Sequence, residues 1–160
     1  GLWNLPVLFF VENNLYEMGS RVEDMHARGK DLYLFADAYG IPGAQVDGMD
    51  LLAVRNAACM ALDRIRAGKG PVLIEAMTYR FSGHSMADPS RYRDKIEVDV
   101  WKNKDPILKI REKMLSEGII TSREIEHIHH EIDTIVSDAV LFAEGSDDPN
   151  SSSLMENVYA

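Results

Sequence analysis

The sequence predicts an α/β fold built on a doubly wound parallel sheet and followed by a helical tail region. Two short apolar runs, Leu5–Glu12 and Pro71–Met77, are typical of strands that are buried on both faces. A third strand is predicted between them at Ala44–Val46, and helical patterns separate the three. Three short strands make an incomplete sheet, so we expect the first half of the domain to lie outside this chain.

Length and composition limit the class of protein. The chain has 160 residues, of which 46% are hydrophobic and 27% charged, values typical of one ordinary globular domain. The net charge of -9 disfavours a nucleic-acid partner, which requires a basic surface. We expect no membrane partner either, because no apolar run reaches the roughly 18 residues of a membrane span. The single cysteine, Cys59, fits a reducing compartment.

Turns and helices follow the first strand in order. Glu12–Gly19 is rich in turn formers, and asparagine side chains also offer the oxygen ligands that Mg²⁺ prefers. An apolar face over Leu32–Tyr39 predicts a helix that the Gly-Ile-Pro-Gly sequence at 40–43 ends. The clearest helix spans Leu51–Ala67, and Asp50 is well placed to cap it.

The later part of the chain is predicted to be helical. Asp105 followed by Pro106 is typical of a helix start, and Gly118 of its end. A capping box over Thr121–Glu124 begins a second helix that runs to about Glu144. These patterns divide the chain into a partial α/β domain, a helical region packing on that domain, and a linker with a tail, at residues 1–93, 94–145 and 146–160.

The segment Thr78–Arg93 breaks the strand pattern that precedes it. It brings Arg80, His84, Asp88 and two further arginines into a loop at the carboxyl end of a strand, where open α/β sheets bind ligands. Arg80 can hold a phosphate, and His84 can move a proton near neutral pH. The alternative is a solvated surface loop with one incidental histidine.

The run Tyr79–Pro89, Tyr-Arg-Phe-Ser-Gly-His-Ser-Met-Ala-Asp-Pro, resembles the histidine loop of the alpha subunits of pyruvate dehydrogenase. That family is the thiamin-diphosphate-dependent, decarboxylating first component of its complex. Glu12–Asn14 resembles the end of the family's thiamin diphosphate motif, and the resemblance extends from Leu2 to Tyr159. The Gly-Asp-Gly that begins the motif is not among the 160 residues. The chain also opens without an initiator Met, so the resemblance implies the carboxyl-terminal half of a thiamin-diphosphate-binding sheet.

The resemblance implies a role for five residues. Asn14, through its side chain, and Tyr16, through its backbone carbonyl, would be ligands of Mg²⁺. Arg80 would lie near the diphosphate, and His84 would assist proton transfer at the mouth of the site. Ser85 matches a serine that a dedicated kinase phosphorylates in mitochondrial members; the alternative is an unregulated loop hydroxyl, which the bacterial-like sequence after it favours.

The implied reaction is oxidative decarboxylation of pyruvate with transfer of the acetyl group to a lipoyl group. The implied cofactors are thiamin diphosphate and Mg²⁺, and the implied partners are a beta subunit and the lipoyl-bearing acyltransferase of the complex. This half alone is expected to be inactive. The alternatives are a branched-chain 2-oxo acid or acetoin dehydrogenase subunit and a non-catalytic remnant. A bacterial cytoplasm is the expected compartment, with the mitochondrial matrix or a plastid as alternatives.

Overall fold

The computed structural model describes residues 1–156 and 158 and shows a mixed α/β fold. The strands are β1 (Leu8–Asn13), β2 (Tyr16–Glu17), β3 (Ser20–Arg21), β4 (Gly43–Asp47) and β5 (Val72–Met77). β1, β5 and β4 form a parallel sheet in that order, and β2 pairs antiparallel with β3. The predicted α/β class with a parallel sheet is confirmed. The predicted carboxyl-terminal tail includes Asn157, Tyr159 and Ala160, which lie outside the described residues.

Two of the helices begin at the capping residues that the sequence predicts. The α-helices are α1 (Val22–Met25), α2 (Leu51–Arg66), α3 (Lys95–Lys102), α4 (Pro106–Ser116) and α5 (Ser122–Glu144), and two 3-10 helices span Leu32–Tyr39 and Ser151–Met155. The Asp50 side chain accepts from Leu52 N at 2.9 Å and Ala53 N at 3.0 Å, which confirms it as the cap of α2. The capping box of Thr121 and Glu124 is also present.

Both faces of β5 are covered. Val72 and Ile74 pack against Ala61 and Ile65 of α2 on one face. Glu75 points to the other face, because side chains alternate along a strand. There its carboxylate accepts from the backbone N–H of the second residue of the Leu32–Tyr39 3-10 helix. The middle strand is therefore the core of the sheet, as its apolar run predicts.

The expected burial of the first strand on both faces is wrong. The strand begins at Leu8 rather than Leu5, and Phe9 and Phe10 are 49% and 39% exposed. β1 lies at one edge of the sheet in the part of the chain that the structure describes. An edge strand has a neighbour on one side only, so its side chains are less covered than those of β5.

The chain divides into two compact units, Gly1–Lys113 and Met114–Ala160. The first unit contains the parallel sheet, and the second contains α5. Within the described residues, no helix has the length and apolar character needed to cross a membrane.

Candidate functional site

Two successive Asx turns shape the segment after β1. Asn13 Oδ1 accepts from Leu15 N at 3.0 Å, and Asn14 Oδ1 accepts from Tyr16 N at 3.1 Å. Leu15 and Met18 have φ angles of 71° and 50°. This left-handed conformation costs a residue other than glycine about 1–3 kcal/mol and often marks a ligand-binding turn. We call residues 13–19 the Asn turn.

Tyr16 is buried although the adjacent residues Leu15 and Glu17 are more exposed. It is 5% exposed, and its hydroxyl donates to Glu97 Oε1 of α3 at 2.9 Å. Its ring meets the ring of Tyr79 edge-on, with centroids 6.2 Å apart. Burial, and then the Glu97 carboxylate, raise the pKa of Tyr16 to about 12, so the hydroxyl remains a donor at neutral pH.

Arg93 joins the Asn turn to the loop at 79–93. Its guanidinium carbon lies 5.7 Å from the ring centroid of Tyr16, 5.4 Å from that of Tyr79 and 5.5 Å from that of Tyr92. Its two terminal nitrogens donate to the backbone carbonyls of Arg80 and Ser82. Cation–π attraction and charged hydrogen bonds together stabilise this buried arginine. We call Tyr16, Tyr79, Tyr92 and Arg93 the Arg93 cluster.

Arg80 makes a second connection between the same two segments. Its Nη2 donates to Met18 O at 2.8 Å and to Tyr92 Oη at 3.1 Å. Its Nε is buried and has no hydrogen-bond partner within the described residues. A guanidinium N–H left unsatisfied in this way is a group that an anionic oxygen would satisfy. Arg80 therefore has the chemistry expected of a phosphate-binding residue.

Asp88 organises the part of the loop that carries the histidine. Its carboxylate accepts from Tyr92 Oη at 2.6 Å, from His84 N at 2.7 Å and from Ser90 N at 2.8 Å. The Tyr92 hydroxyl, and then the two backbone N–H groups, lower the pKa of Asp88 to about 2. Asp88 is thus ionised at neutral pH. His84 and Ser85 are both exposed on the bend that it holds.

The Asn turn and the loop both begin at the carboxyl ends of strands, β1 and β5 respectively. β1 and β5 are parallel, with Asn13 opposite Met77, and Thr78 N donates to Asn13 O at 2.8 Å. The structure thus brings Tyr16 and Arg80 into one connected group, with Asn14 beside Tyr16. His84 lies four residues beyond Arg80 on the same loop.

The oxygens of the Asn turn are of the chemical type that Mg²⁺ prefers as ligands. Asn14 offers an amide oxygen and Tyr16 a backbone carbonyl, and both are hard donors. They are two of the ligands that an octahedral Mg²⁺ requires. Residues 1–156 and 158 contain no group of three or more His, Cys, Asp or Glu side chains that could bind a metal. A Mg²⁺ held here would therefore need further oxygens, such as those of a diphosphate.

Sequence reasoning missed two groups that support this site. It placed Arg93 among the loop charges without assigning it a partner. It also left Glu75 inside an apolar run, although this carboxylate is fully buried and accepts from Asn13 Nδ2 at 2.6 Å. The available signal was a single carboxylate at the centre of a strand predicted to be buried.

A mixed α/β fold that brings these two segments together is compatible with a dehydrogenase E1 component. The family of that description matches residues 1–152, and the chain belongs to it. The resemblance carried by the histidine loop is confirmed.

Three relatives show how closely the chain matches. It is 41% identical over 165 residues to the pyruvate dehydrogenase E1 component subunit alpha of Porphyra purpurea. It is 42% identical over 158 residues to the subunit of the same name of Rhizobium meliloti (strain 1021). It is 41% identical over 162 residues to pyruvate dehydrogenase E1 component subunit alpha-3, chloroplastic, of Oryza sativa subsp. japonica. These matches cover 99%, 98% and 99% of this chain but 46%, 45% and 37% of the relatives. The chain therefore spans less than half the length of these curated relatives.

Proposed function

We propose that this chain is part of an alpha subunit that carries out thiamin-diphosphate-dependent oxidative decarboxylation of pyruvate and passes the acetyl group to a lipoyl group. The names of its relatives and the histidine loop support the reaction. In this proposal the three parallel strands belong to a larger doubly wound sheet that binds the cofactor. The helical cover on both faces of β5 supports that placement.

The observation that carries the proposal is the direct connection of the two segments that bear the family's motifs. Arg80 Nη2 donates to Met18 O of the Asn turn at 2.8 Å, while its Nε lacks a partner within the described residues. A diphosphate bound beside Asn14 and Tyr16 would thus lie near a cation that is already anchored. Together with the contacts of Arg93, this bond makes the turn and the loop one connected group.

In this proposal, some residues of the chain bind the cofactor and another transfers a proton. Bound thiamin diphosphate would supply the carbanion that decarboxylation requires. Asn14 Oδ1 and Tyr16 O would hold Mg²⁺, and the Arg80 guanidinium would bind a phosphate oxygen. The His84 imidazole would donate or accept a proton at the mouth of the site. The Arg93 cluster would hold the loop against the Asn turn.

The partners and the compartment follow from the same proposal. A beta subunit would complete the cofactor site, and the lipoyl-bearing acyltransferase would receive the acetyl group. Ser85 is exposed. We propose that its hydroxyl is not phosphorylated, because the Asp88–Arg93 segment is similar to bacterial members. The same similarity favours a bacterial cytoplasm, although the rice relative is named chloroplastic.

The test uses the full-length subunit that contains this chain, assembled with its beta subunit. Oxidation of 2-oxo acids is followed with an artificial electron acceptor in the presence of thiamin diphosphate and Mg²⁺. We expect kcat/KM for pyruvate to exceed that for a branched-chain 2-oxo acid by at least about tenfold, the discrimination that pocket size can supply. The reverse preference would assign the branched-chain substrate, and no turnover with no cofactor binding would identify a non-catalytic remnant.

The role of His84 is tested in the same assembly. We expect His84→Ala to lower kcat by about 100-fold, a typical loss for a general acid or base, while the Kd for thiamin diphosphate stays within about threefold. Ser85→Ala, on the same bend, is the matched control and should leave both values nearly unchanged. Equal losses of turnover and affinity in His84→Ala would place the imidazole in the cofactor pocket instead.

A further inference from the structure

A carboxylate lies in the core of the sheet and has no role in the function proposed above. Glu75 is at the centre of the middle strand and is 0% exposed. Its apolar neighbours Ile74 and Ala76 point to the opposite face of the sheet. A polar group in such a position costs several kcal/mol unless hydrogen bonds compensate it. The groups that surround Glu75 therefore indicate what it does.

Neutral N–H groups from three separate elements converge on the Glu75 carboxylate. Oε1 accepts from Asn13 Nδ2 at the end of β1 at 2.6 Å. Oε2 accepts from Tyr33 N of the first 3-10 helix at 3.0 Å and from Gln45 Nε2 of β4 at 3.2 Å. Gln45 is also the direct neighbour of Glu75 in the pairing of β4 with β5. The carboxylate thus joins three elements across the middle strand.

The bond to Asn13 determines which way the Asn13 amide faces. Its Nδ2 donates both to Glu75 and to Lys30 O, the latter at 3.1 Å, so both amide hydrogens are engaged. Its Oδ1 is consequently turned toward Leu15 N, from which it accepts at 3.0 Å. This is the bond that closes the first Asx turn around Leu15, whose φ is 71°.

Leu15 connects the two residues to which the proposed function assigns Mg²⁺. A left-handed residue between Asn14 and Tyr16 sets the direction in which the Asn14 side chain and the Tyr16 carbonyl point. The strain of that conformation, about 1–3 kcal/mol, must be offset by bonds that hold it. The amide of Asn13, oriented by Glu75, supplies one such bond.

We propose that Glu75 is a positioning residue, whose buried carboxylate orients the Asn13 amide so that the Asn turn presents the oxygens of Asn14 and Tyr16 to a metal. Glu75 acts through Asn13 and touches neither metal nor substrate. The inference rests on the proposed function for the identity of the ligand. The ordering of the turn by Glu75 stands on the hydrogen bonds alone.

The test replaces Glu75 with glutamine in the assembled enzyme. Glutamine has the same shape as glutamate but only one acceptor oxygen. Its NH₂ group must therefore face either the N–H donor of Asn13 or the N–H donors of Tyr33 and Gln45, and the hydrogen bonds on that side are lost. We expect the Kd for thiamin diphosphate at fixed Mg²⁺ to rise about 10–100-fold, as when an outer-shell partner of a ligand is lost. We expect kcat at saturating cofactor to stay within about threefold of wild type.

A second readout needs no cofactor. Hydrogen exchange of the Leu15 and Tyr16 amides in the cofactor-free enzyme should be at least about tenfold faster in Glu75→Gln, since the turn opens more often. The matched control is Ile74→Val, which alters the adjacent, 1% exposed residue on the opposite face of the same strand. Ile74→Val should leave the affinity and the exchange of the turn within about threefold of wild type.

The outcomes separate this inference from the proposed function. If wild type binds the cofactor and Glu75→Gln binds it equally well, Glu75 has no positioning role. If wild type does not bind the cofactor, the proposed function fails, and exchange alone decides the role of Glu75. Faster exchange of residues 13–19 alone in Glu75→Gln then supports the positioning role. Unchanged exchange in Glu75→Gln overturns that role. Equally faster exchange along β5 in Glu75→Gln and Ile74→Val also overturns it.

A second variant covers the case in which Glu75→Gln does not fold. Asn13→Ala removes the amide that Glu75 orients but keeps the carboxylate and its bonds to Tyr33 and Gln45. It should reproduce the loss of cofactor affinity and the faster exchange of Leu15. In the double variant, the two losses should not add, because both substitutions break the same connection. Full additivity, or wild-type affinity in Asn13→Ala, would contradict the proposal.

Discussion

The Arg93 cluster and the apolar stripe of α5 differ in how far the described chain covers them. That stripe consists of Ile125, Ile128, Ile132, Ile135, Val136, Ala139 and Phe142. Tyr16, Tyr79 and Arg93 are 5%, 6% and 8% exposed. Along α5, by contrast, Ile132 and Ile135 are 51% and 61% exposed. The stripe has the helical period expected of a buried face, yet its side chains are mostly open to solvent within this structure.

The difference lies in how each region is built. The cluster combines aromatic rings from separate segments around one guanidinium, whose two terminal nitrogens donate to two carbonyls of the loop. Those partners are all within the first compact unit. A helical stripe specifies a face but not the surface that covers it. Directional polar contacts thus explain the order of the site, and apolar periodicity alone does not.

The largest effect is expected from removing the cation at the centre of the cluster. Arg93→Met would leave the carbonyls of Arg80 and Ser82 without their donor and the rings without their cation. We expect the free energy of local opening at residues 79–93 to fall by about 2–4 kcal/mol, measured by hydrogen exchange of the assembled enzyme. Arg93→Lys keeps the charge but not the planar guanidinium. Its free energy of local opening should lie between that of Arg93→Met and that of wild type. A loss below about 0.5 kcal/mol would show that the cluster does not order the loop.

A smaller effect is expected from the Tyr16 hydroxyl. Tyr16→Phe removes the donor to Glu97 and should lower the local opening free energy of the Asn turn by about 0.5–1.5 kcal/mol. The pKa of Tyr16 is raised to about 12 in the folded protein. The stabilisation from the neutral hydroxyl is therefore complete below its ordinary pKa of 10.0 and is lost as pH rises toward 12.

Alkaline titration checks the pH dependence of Tyr16. Tyrosinate absorbance of wild type should include one group that ionises near pH 12, and Tyr16→Phe should lack it. Tyr79 also has a raised pKa, mainly through burial, so the difference between the two proteins is the informative quantity. A difference curve centred near pH 10 would mean that Tyr16 is neither buried nor bonded to Glu97.

The smallest effect is expected on the exposed stripe of α5. Ile132→Ala should change the local opening free energy of that helix by less than about 0.5 kcal/mol, as most surface substitutions do. Ile65→Ala is the reference, because Ile65 of α2 is 6% exposed and packs against β5 in the core. It should cost about 2–5 kcal/mol in the same exchange measurement. Similar losses in both variants would mean that α5 is covered in the assembled enzyme, and the contrast between the two regions would disappear.

Local signals in the sequence were sufficient for much of the fold. The Asp50 cap of α2, the capping box of α5 and the buried strand β5 all depend on residues close in sequence, and the structure confirms them. The expected burial of β1 on both faces is wrong, because an apolar run does not show whether a strand lies at an edge. The helix predicted at 32–39 is present as a 3-10 helix that ends at Tyr39 and is capped by Gly40, whose φ is 64°.

The site was less predictable because its connections are long in sequence. Asn13 and Glu75 are 62 residues apart and meet only through the parallel register of β1 with β5. The bond between Gln45 and Glu75 likewise depends on the register of β4. The roles of Asn14 and His84 came from the family resemblance and stay predictions. The network that supports the Asn turn required the three-dimensional structure.

The most direct test of this account is the affinity of the assembled enzyme for thiamin diphosphate after Asn14→Ala. Isothermal titration in the presence of Mg²⁺ measures the Kd, with Asn14→Asp as the control that keeps an oxygen donor at the same place. We expect Asn14→Ala to weaken binding by at least about tenfold, roughly 1.4 kcal/mol, and Asn14→Asp to stay within about threefold of wild type. Wild-type affinity in Asn14→Ala would contradict the claim that the Asn turn holds the metal of the cofactor site.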